Sequence, residues 1–379
     1  MRVPIALLIA PILATAGARQ LPRVTFSRAY PNASAKHTLA TASATVAVVD
    51  ATTFAEQQLT ATDSALTSLN LTWTKQEDVQ VVRYLDSGRF SNVFEGVLRV
   101  SATDSNHESN VVLKVLKPTF MGKVRREIKV LELLSGVPNV VQLQGVTKNH
   151  GCQTVSLILE HVGPDAHWLS HRAGPLSSFE VQLYMYRLLQ ALDACHARGV
   201  MHRDVKPRNV LYSRRMHAVR VIDLGLSDLY VPGKPYNPSV ASRHYKSPEL
   251  LFEYPYYDYA IDVWGAGCML AGLIFRTDPF FNGADNVHQI QCVADVVGAK
   301  DLLAWVQRYD IPLAADKRRA VGSGPRAPWA RFRTDDNAHL CSDDAVDLVG
   351  RMLTVDHQER ITAAEALAHR YFDTVRHLA

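Results

Sequence analysis

The stretch that decides the fold is His202-Arg-Asp-Val-Lys-Pro-Arg-Asn209. It brings together a carboxylate, an ammonium group and an amide, which are groups that phosphoryl transfer requires. Asp204 can accept the proton of an attacking hydroxyl, and Lys206 can offset charge on the transferred phosphate. The side-chain oxygen of Asn209 suits Mg²⁺, a hard cation that prefers oxygen ligands. The stretch therefore predicts a catalytic loop with Asp204 and Lys206 as the catalytic residues.

Two further stretches supply the remaining parts of such a site. Asp223 follows the apolar run 219–222, so it should project from the end of a strand as the main metal ligand. Lys114 lies inside a predicted strand, where an unpaired charge is costly. Glu127 on the following helix is its natural partner, and the pair would present Lys114 to the α- and β-phosphates. We expect these groups to gather around one nucleotide and its magnesium ion.

The periodicity of the chain changes part-way along its length. Runs rich in β-branched and aromatic residues predict strands, which begin at Val79, Ser91, Val111 and Val155. One amphipathic helix is predicted over residues 124–134. After Gly163 the spacing becomes helical, beginning with the capping box Ser177-Ser-Phe-Glu180. A β-rich part followed by a helical part predicts an α+β fold with two lobes, residues 73–160 and 161–375, and a cleft between them.

Residues 1–72 differ in composition from the rest. Arg2 is followed by an uncharged apolar stretch and by Ala16-Gly-Ala18, the arrangement of a cleavable signal peptide at residues 1–18. Residues 19–72 are rich in Ala, Ser and Thr and poor in acids, so we expect a disordered leader. For residues 1–18 the alternatives are a wrongly predicted start codon or an uncleaved anchor. For the segment that follows they are a flexible tail or part of a two-part organelle-import leader. The leader favours the secretory pathway or a plastid-type organelle.

Composition excludes several classes of protein. The formal net charge is only +4, and residues 1–49 contain five basic and no acidic residues, so the body is close to neutral and no direct contact with nucleic acid is expected. The five cysteines form no CxxC pair, which argues against a disulfide scaffold or a zinc site. No apolar run approaches the ~18–20 residues that a spanning helix needs, so no stable membrane insertion is expected.

The body of the chain, about residues 73–375, resembles the eukaryotic protein kinases. Ser247-Pro-Glu249 stands where that family has Ala-Pro-Glu. In those kinases the glutamate of this motif pairs with an arginine, so the resemblance implies that Glu249 pairs with Arg360. Several longer stretches resemble the catalytic (alpha) subunit of casein kinase 2, among them Val240-Ala-Ser-Arg-His-Tyr-Lys-Ser-Pro-Glu249, Asp258-Tyr-Ala-Ile-Asp-Val-Trp264 and Val112-Leu-Lys-Val-Leu-Lys-Pro118. The resemblance implies the protein kinase fold, with a small β-rich lobe holding one main helix and a larger helical lobe.

The resemblance also implies the activity and its ligands. We expect a serine/threonine kinase that uses ATP, or GTP as an alternative, with Mg²⁺ bound by Asn209 and Asp223, and that depends little on activation-loop phosphorylation. Its protein substrates would be acidic and bound by Arg243 and Lys246, and a casein kinase 2 regulatory (beta) subunit is an expected partner. This family works in cytoplasm and nucleus. The residues that it places around the nucleotide are Gly88, Val93, Val112, Lys114, Glu127, Glu160, Val162, Leu211 and Ile222.

The sequence departs from this family at four places. Asp86 opens the glycine loop where a glycine is usual, and a carboxylate there would repel a triphosphate. Leu224 replaces the aromatic residue that usually follows the metal-binding aspartate, and we expect it to stay packed. Residues 119–123 hold one lysine where the family has several, and Ser239 replaces an arginine. We therefore expect acid-directed specificity that is weaker than is usual in the family.

Two other functions compete with an active protein kinase. A pseudokinase or scaffold with impaired nucleotide binding would account for Asp86 and Leu224, although the retained catalytic residues oppose it. A kinase-fold enzyme acting on a small molecule in the secretory pathway would account for the leader. The stretch 239–249, which resembles a peptide-positioning segment, argues against that alternative.

Overall fold

The computed structural model describes residues 3–4, 73–102, 105–148, 154–163, 165–168 and 174–378. These residues divide into two units. The first contains the described residues within 73–119 and 144–161, and the second contains those within 120–143 and 162–378. The predicted signal peptide and leader lie outside the described residues except for 3–4, and the predicted lobe boundaries stay a prediction. Within the described residues, no helix combines the length and apolarity that a membrane crossing demands.

The first unit is a sheet. Its strands are Val3–Pro4 (β1), Val79–Ser87 (β2), Ser91–Ala102 (β3), Ser105–Leu116 (β4), Leu143–Lys148 (β5) and Val155–Glu160 (β6). They lie in the order β1-β2-β3-β4-β6-β5. The pairs β1–β2, β2–β3, β3–β4 and β4–β6 are antiparallel. Strands occur at all four predicted places, although β4 begins at Ser105, six residues before the predicted start at Val111. Strand β5 was missed because only Val146 and Thr147 of its six residues are buried.

Alternation along β4 separates two faces of this sheet. Val111, Leu113 and Val115 are buried and belong to an apolar cluster that also contains Val79, Val81, Phe94, Leu98 and Ile158. Lys114 points to the opposite face, because successive side chains of a strand alternate. In the register of the sheet, Lys114 lies opposite Val93 on β3 and Leu157 on β6. The apolar cluster therefore fixes the register that carries Lys114.

The second unit is mainly helical. Its helices are Met121–Leu133 (α1), Ser178–His196 (α2), Pro248–Leu251 (α3), Ala260–Ile274 (α4), Asn286–Val297 (α5), Ala299–Arg308 (α6), Ala315–Val321 (α7), Asp343–Met352 (α8) and Ala363–Leu367 (α9). Its short strands are His167–Trp168 (β7), Val200–Met201 (β8), Val210–Ser213 (β9), Ala218–Val221 (β10) and Asp228–Leu229 (β11). They form two small sheets, in the orders β10-β9-β7 and β11-β8.

The helix signals of the sequence are borne out in this unit. The Ser177 hydroxyl accepts a hydrogen bond from the amide of Glu180, whose carboxylate accepts one from the amide of Ser177, so the predicted capping box starts α2. Helix α4 is buried along nearly its whole length, as its apolar sequence predicts. Helices α2 and α4 pack against each other, and α4 also packs on α8. This core supports the loops that carry the polar residues.

A buried ion pair connects two distant parts of the helical unit. Arg360 donates to both carboxylate oxygens of Glu249 at 2.8 and 2.9 Å, and neither side chain is exposed to solvent. Burial alone would raise the pKa of Glu249, but the charge and hydrogen bonds of Arg360 lower it below its ordinary value. Arg360 also donates to three backbone carbonyls, of Thr354, Val355 and Ala260. The predicted pairing of Glu249 with Arg360 is therefore confirmed.

We expect Arg360→Leu to destabilise the protein strongly, because it leaves the Glu249 carboxylate buried without its partner. Removing one partner of such a pair costs roughly 3–5 kcal/mol, which lowers Tm by on the order of 10 °C in a protein of this size. Thermal unfolding checks this. The control is Arg370→Leu, which removes an ion pair with Asp344 whose arginine side chain is 75% exposed. Equal Tm shifts in the two variants would contradict the prediction.

Candidate active site

The Asp204 carboxylate is the centre of the catalytic loop and is almost fully buried. Its Oδ2 accepts hydrogen bonds from Lys206 Nζ at 2.7 Å and Asn209 Nδ2 at 3.0 Å. Its Oδ1 accepts from the Ser242 amide at 2.9 Å and the Ser242 hydroxyl at 3.0 Å. Four donors from three residues therefore fix the carboxylate in one orientation, which a general base requires before a hydroxyl arrives.

Lys206 and Ser242 also contact each other. The ammonium of Lys206 donates to the Ser242 hydroxyl at 2.8 Å while it donates to Asp204. Lys206 thus places a positive charge directly beside the proposed base, where it can offset the negative charge of a phosphate in transfer. The three side chains form one hydrogen-bonded cluster, so none of them takes its position independently of the others.

The backbone of the two residues that precede Asp204 is hydrogen-bonded to Asp262 of α4. The carboxylate of Asp262 is buried and accepts from the amides of His202 and Arg203, both at 2.8 Å, and from the His196 ring at 3.0 Å. Burial alone would raise the pKa of Asp262, but the hydrogen bond from His196 and the neighbouring donors lower it. Arg203 has φ of 66°, a conformation that costs energy and persists because these bonds hold it.

A glycine of α4 lets the catalytic loop approach this closely. A Cβ added at Gly265 would lie 2.9 Å from the carbonyl oxygen of Val205 and 3.0 Å from its Cβ. Any side chain at this position would therefore push away the residue that follows Asp204. The absence of a side chain at Gly265 therefore allows the loop that carries Asp204 to lie against α4.

Asp223 is held next to the same loop. The amide of Ile222 donates to the carbonyl of Asn209 at 2.8 Å, and the His202 ring bonds the carbonyl of Ile222 at 3.1 Å. Asp223 itself has φ of 62°. Its Oδ1 and Glu127 Oε2 would each lie 3.3 Å from a Cβ at Gly225, so both carboxylates border the same glycine. The structure therefore brings Asp223, Asn209 and Glu127 into one region of the helical unit.

The donor set of this region fits Mg²⁺. Because Asn209 Nδ2 is engaged by the carboxylate and the backbone carbonyl of Asp204, its Oδ1 is the atom left to act as a metal ligand. Within the described residues, no group of three His, Cys, Asp or Glu side chains forms a complete metal site. Mg²⁺ commonly takes only one or two protein oxygens and completes its octahedron with water and phosphate oxygens. Asn209 and Asp223 are suited to that incomplete kind of coordination.

A family model described as protein kinase domain matches residues 79–372, well over half of the chain. The chain belongs to the protein kinase family. It is therefore a phosphotransferase by family, and its predicted α+β kinase fold is confirmed. Kinases of this family use ATP with Mg²⁺. The matched range contains every residue that the sequence assigned to catalysis, nucleotide or metal.

The kinase's predicted nucleotide residues are placed in both units. In the sheet, Gly88 lies in the turn between β2 and β3, Val93 on β3, Val112 and Lys114 on β4, and Glu160 ends β6. Val93, Val112 and Lys114 share one face by alternation and register. In the helical unit, Leu211 lies on β9, Ile222 precedes Asp223, and Val162 is half-buried. Their contacts with nucleotide, and the Lys114–Glu127 pair, stay predictions.

The glycine loop is braced by side chains. Lys117 Nζ donates to the carbonyl of Gly88 at 2.7 Å, and the amide of Lys117 donates to Phe90 at 2.8 Å. The exposed Asp86 accepts a hydrogen bond from the amide of Ser87 at 2.8 Å. The departure at Asp86 thus has a local structural use, since its carboxylate satisfies a backbone donor of the turn. Leu224, the other departure, is buried as expected.

We call the stretch 223–249 the activation segment. Its Asp228 carboxylate forms ion pairs with two arginines. Asp228 Oδ2 lies 3.1 Å from Arg203 NH2 and 2.8 Å from Arg126 NH1. Arg203 also donates to the Leu226 carbonyl at 2.6 Å and the Tyr257 hydroxyl at 3.2 Å. The arginine of the catalytic loop is therefore already engaged by groups of the unmodified chain.

The predicted substrate residues follow in the same segment. Arg243 NH1 donates to the carbonyl of Ala284, and Lys246 is half-buried. Burial lowers the pKa of Lys246, as do the charges of Arg243 and Lys317. Of the basic residues close in sequence to α1, Lys117 and Arg126 are engaged within the protein. These two side chains already have partners in the absence of a substrate.

Sequence reasoning missed two residues of the site. The sequence analysis predicts no role in the site for Ser242, although its amide and hydroxyl both donate to Asp204 Oδ1. It predicts none for Gly265, which the structure places against Val205 of the catalytic loop. For Ser242 the available signal was its place in the kinase-like stretch 240–249. For Gly265 no local signal existed, because the close contact forms only when the loop returns to α4.

We expect Ser242→Ala to lower kcat by roughly ten- to hundredfold, because it deletes a hydrogen bond to a charged catalytic carboxylate. Ser242→Thr, which keeps the hydroxyl, should retain most of the activity. Steady-state assays of phosphate transfer check both variants. The matched control is Ser239→Ala, because Ser239 is exposed and its hydrogen bond to Asn237 Oδ1 comes from the backbone amide, which alanine keeps. An unchanged kcat in Ser242→Ala would show that the hydroxyl does not position Asp204.

Proposed function

We propose that the protein is a serine/threonine kinase of the casein kinase 2 alpha type, which transfers the γ-phosphate of ATP to hydroxyls in acidic sequence contexts. The observation that carries this proposal is the Asp204 cluster, in which a buried carboxylate is oriented by Ser242, Lys206 and Asn209. The long stretches that resemble the casein kinase 2 catalytic subunit support the finer assignment. GTP is proposed as an alternative nucleotide on the same resemblance.

In this proposal each residue of the chain has a defined part. Bound ATP and Mg²⁺ supply the phosphoryl group and neutralise charge on the phosphate oxygens. Asp204 orients the substrate hydroxyl and accepts its proton at a carboxylate oxygen as that hydroxyl oxygen bonds to the γ-phosphorus and the bond from the γ-phosphorus to the leaving ADP oxygen breaks. Lys206 stabilises charge on the transferred group. Asn209 and Asp223 hold the metal, and Lys114 binds phosphate oxygens.

The Arg203 contacts support activity without activation-segment phosphorylation. In a kinase that needs a phosphate on the activation segment, that phosphate would be the anion that pairs with this arginine. Here Asp228 supplies a carboxylate to Arg203 and Arg126 in the unmodified chain. The segment 230–242 also contains no threonine. We therefore propose that the enzyme is active as synthesised.

Acidic substrates are supported by the charges near the activation segment. Arg243 and Lys246 supply cations there, and no hydrogen bond or ion pair engages the Lys246 ammonium among the described residues. Since Lys117 and Arg126 are already engaged, acid preference should be present but moderate. A casein kinase 2 regulatory (beta) subunit is the partner that the resemblance favours. The cell compartment, which the leader and the family assign differently, is best determined by imaging a C-terminally tagged chain and sequencing its mature N-terminus.

We expect the wild-type protein to transfer radiolabelled phosphate from ATP to a serine peptide flanked by glutamates, with kcat/KM several-fold above the same peptide flanked by glutamines. Asp204→Asn should lower kcat by at least about a hundredfold, since the base is lost while its shape is kept. Asp223→Ala is the second inactive control. A wild-type protein with no transfer to either peptide would identify a pseudokinase, and equal rates on both peptides would reject acid-directed specificity.

We expect Asp86→Gly to lower the KM for ATP about two- to fivefold, because it removes a negative charge beside the predicted triphosphate site. Asp86→Asn should have a similar effect, since its side-chain oxygen still accepts from the Ser87 amide while the charge is gone. Steady-state kinetics with varied ATP check this, with Glu77→Gln as an exposed control outside the loop. Unchanged KM values would show that Asp86 does not act on the nucleotide through its charge.

A further inference from the structure

A mostly covered lysine, Lys317, lies near the proposed substrate residue Lys246, and no pattern in the sequence selects it. Lys317 belongs to α7, and its side chain is only 15% exposed. Its ammonium lies 3.2 Å from a carboxylate oxygen of Glu253, whose own side chain is 71% exposed. The Lys317 side chain is thus mostly covered by protein, whereas its partner Glu253 is mostly exposed to solvent.

The packing of the helices brings Lys317 towards the activation segment. Helix α7 packs against α5, and α5 contacts both α3 and the segment Arg243–Tyr245. The charges of Arg243, Lys317 and Glu253 all act on the half-buried Lys246. Arg243 is also near Asp285, whose carboxylate is used to cap α5 by accepting from the amide of His288. The positive charges of Arg243 and Lys317 therefore both act on Lys246, and we call these three residues the cationic cluster.

The charge of this cluster is not balanced by its own carboxylates. Arg243, Lys246 and Lys317 carry three positive charges, against Glu253 and the capping Asp285. Like charges held close together are unfavourable, the more so when partial burial weakens solvent screening. An ammonium has three donor hydrogens, and among the residues that the structure describes Lys317 pairs with the Glu253 carboxylate. A further anion would therefore be attracted to this point.

We propose that Lys317, with Arg243 and Lys246, forms a binding subsite for a carboxylate side chain of the protein substrate, and that Glu253 fills this subsite until the substrate displaces it. This inference rests on the proposed function, because it assigns a specificity residue to the same acid-directed reaction. Glu253 is suited to leave, since it is mostly exposed and can be hydrated elsewhere. Lys317 is suited to stay, since its covered side chain keeps the ammonium in one position.

Lys317 also adds to the few cations that the sequence offers for recognition of an acidic substrate. Residues 119–123 contain a single lysine, and Lys117 and Arg126 are engaged internally. Lys317 opens a basic run, Lys317-Arg-Arg319, and its neighbour Arg318 is exposed. Of these residues, Lys317 is the one with an ion pair to Glu253. This difference gives a matched pair of lysine and arginine positions for a test.

The test measures direct binding of fluorescent serine peptides to the full chain by anisotropy, with glutamates or with glutamines around the serine. We expect Lys317→Gln to raise the Kd of the acidic peptide about five- to tenfold and to leave that of the neutral peptide unchanged. Lys317→Arg should restore binding. Glu253→Gln should tighten the acidic peptide about twofold, because the internal competitor is removed. Arg318→Gln, with the same change of charge, should behave as wild type.

Three results would overturn the subsite. They are an acidic-peptide Kd in Lys317→Gln equal to that in Arg318→Gln, an equal loss for acidic and neutral peptides, and weaker acidic-peptide binding in Glu253→Gln. Thermal unfolding of each variant separates loss of fold from loss of the subsite, and rescue by Lys317→Arg excludes a merely structural effect. Phosphate transfer by wild type is measured in parallel. Absent transfer with intact charge-dependent binding would reject the proposed catalysis and leave the subsite standing.

Discussion

The catalytic region depends on the buried carboxylate of Asp262. It lies at the start of a helix that is itself buried, and it accepts hydrogen bonds from two consecutive amides of the catalytic loop and from His196. Those bonds keep Arg203 at a positive φ, which in turn directs Asp204 towards Ser242 and Lys206. A buried carboxylate without donors would be very unfavourable, so the loop and the helix stabilise each other.

The same principle recurs through the helical unit, where each critical carboxylate is matched by several donors. Glu249 is matched by Arg360, Asp204 by three residues, and Asp228 by two arginines. Each of these groups joins segments that are distant along the chain. Buried or half-buried charged groups therefore have two effects in this kinase. They fix local geometry, and they connect the activation segment to the catalytic loop through ion pairs and hydrogen bonds. Glu253 differs, since it is exposed and holds a covered lysine.

Much of the fold followed from periodicity in the sequence. Alternation of apolar residues located β2, β3, β4 and β6, and the Ser177–Glu180 capping box located the start of α2. Strand β5 escaped because it contains a glycine and polar residues, and it is held by neighbours instead of by its own pattern. Within the candidate site, residue type and spacing were enough to predict roles for Asp204, Lys206, Asn209 and Asp223, and these roles stay predictions.

The sequence by itself determined the fold class, the family resemblance and the chemical groups of the catalytic loop, because these depend on residues that are neighbours in the chain or recur at a fixed period. Only the tertiary structure decided that Ser242 bonds Asp204, that Gly265 admits the loop, and that Lys317 meets Glu253. Each of these contacts joins residues that lie far apart in sequence. Their closeness is produced by the packing of helices, and no local pattern of residues encodes it.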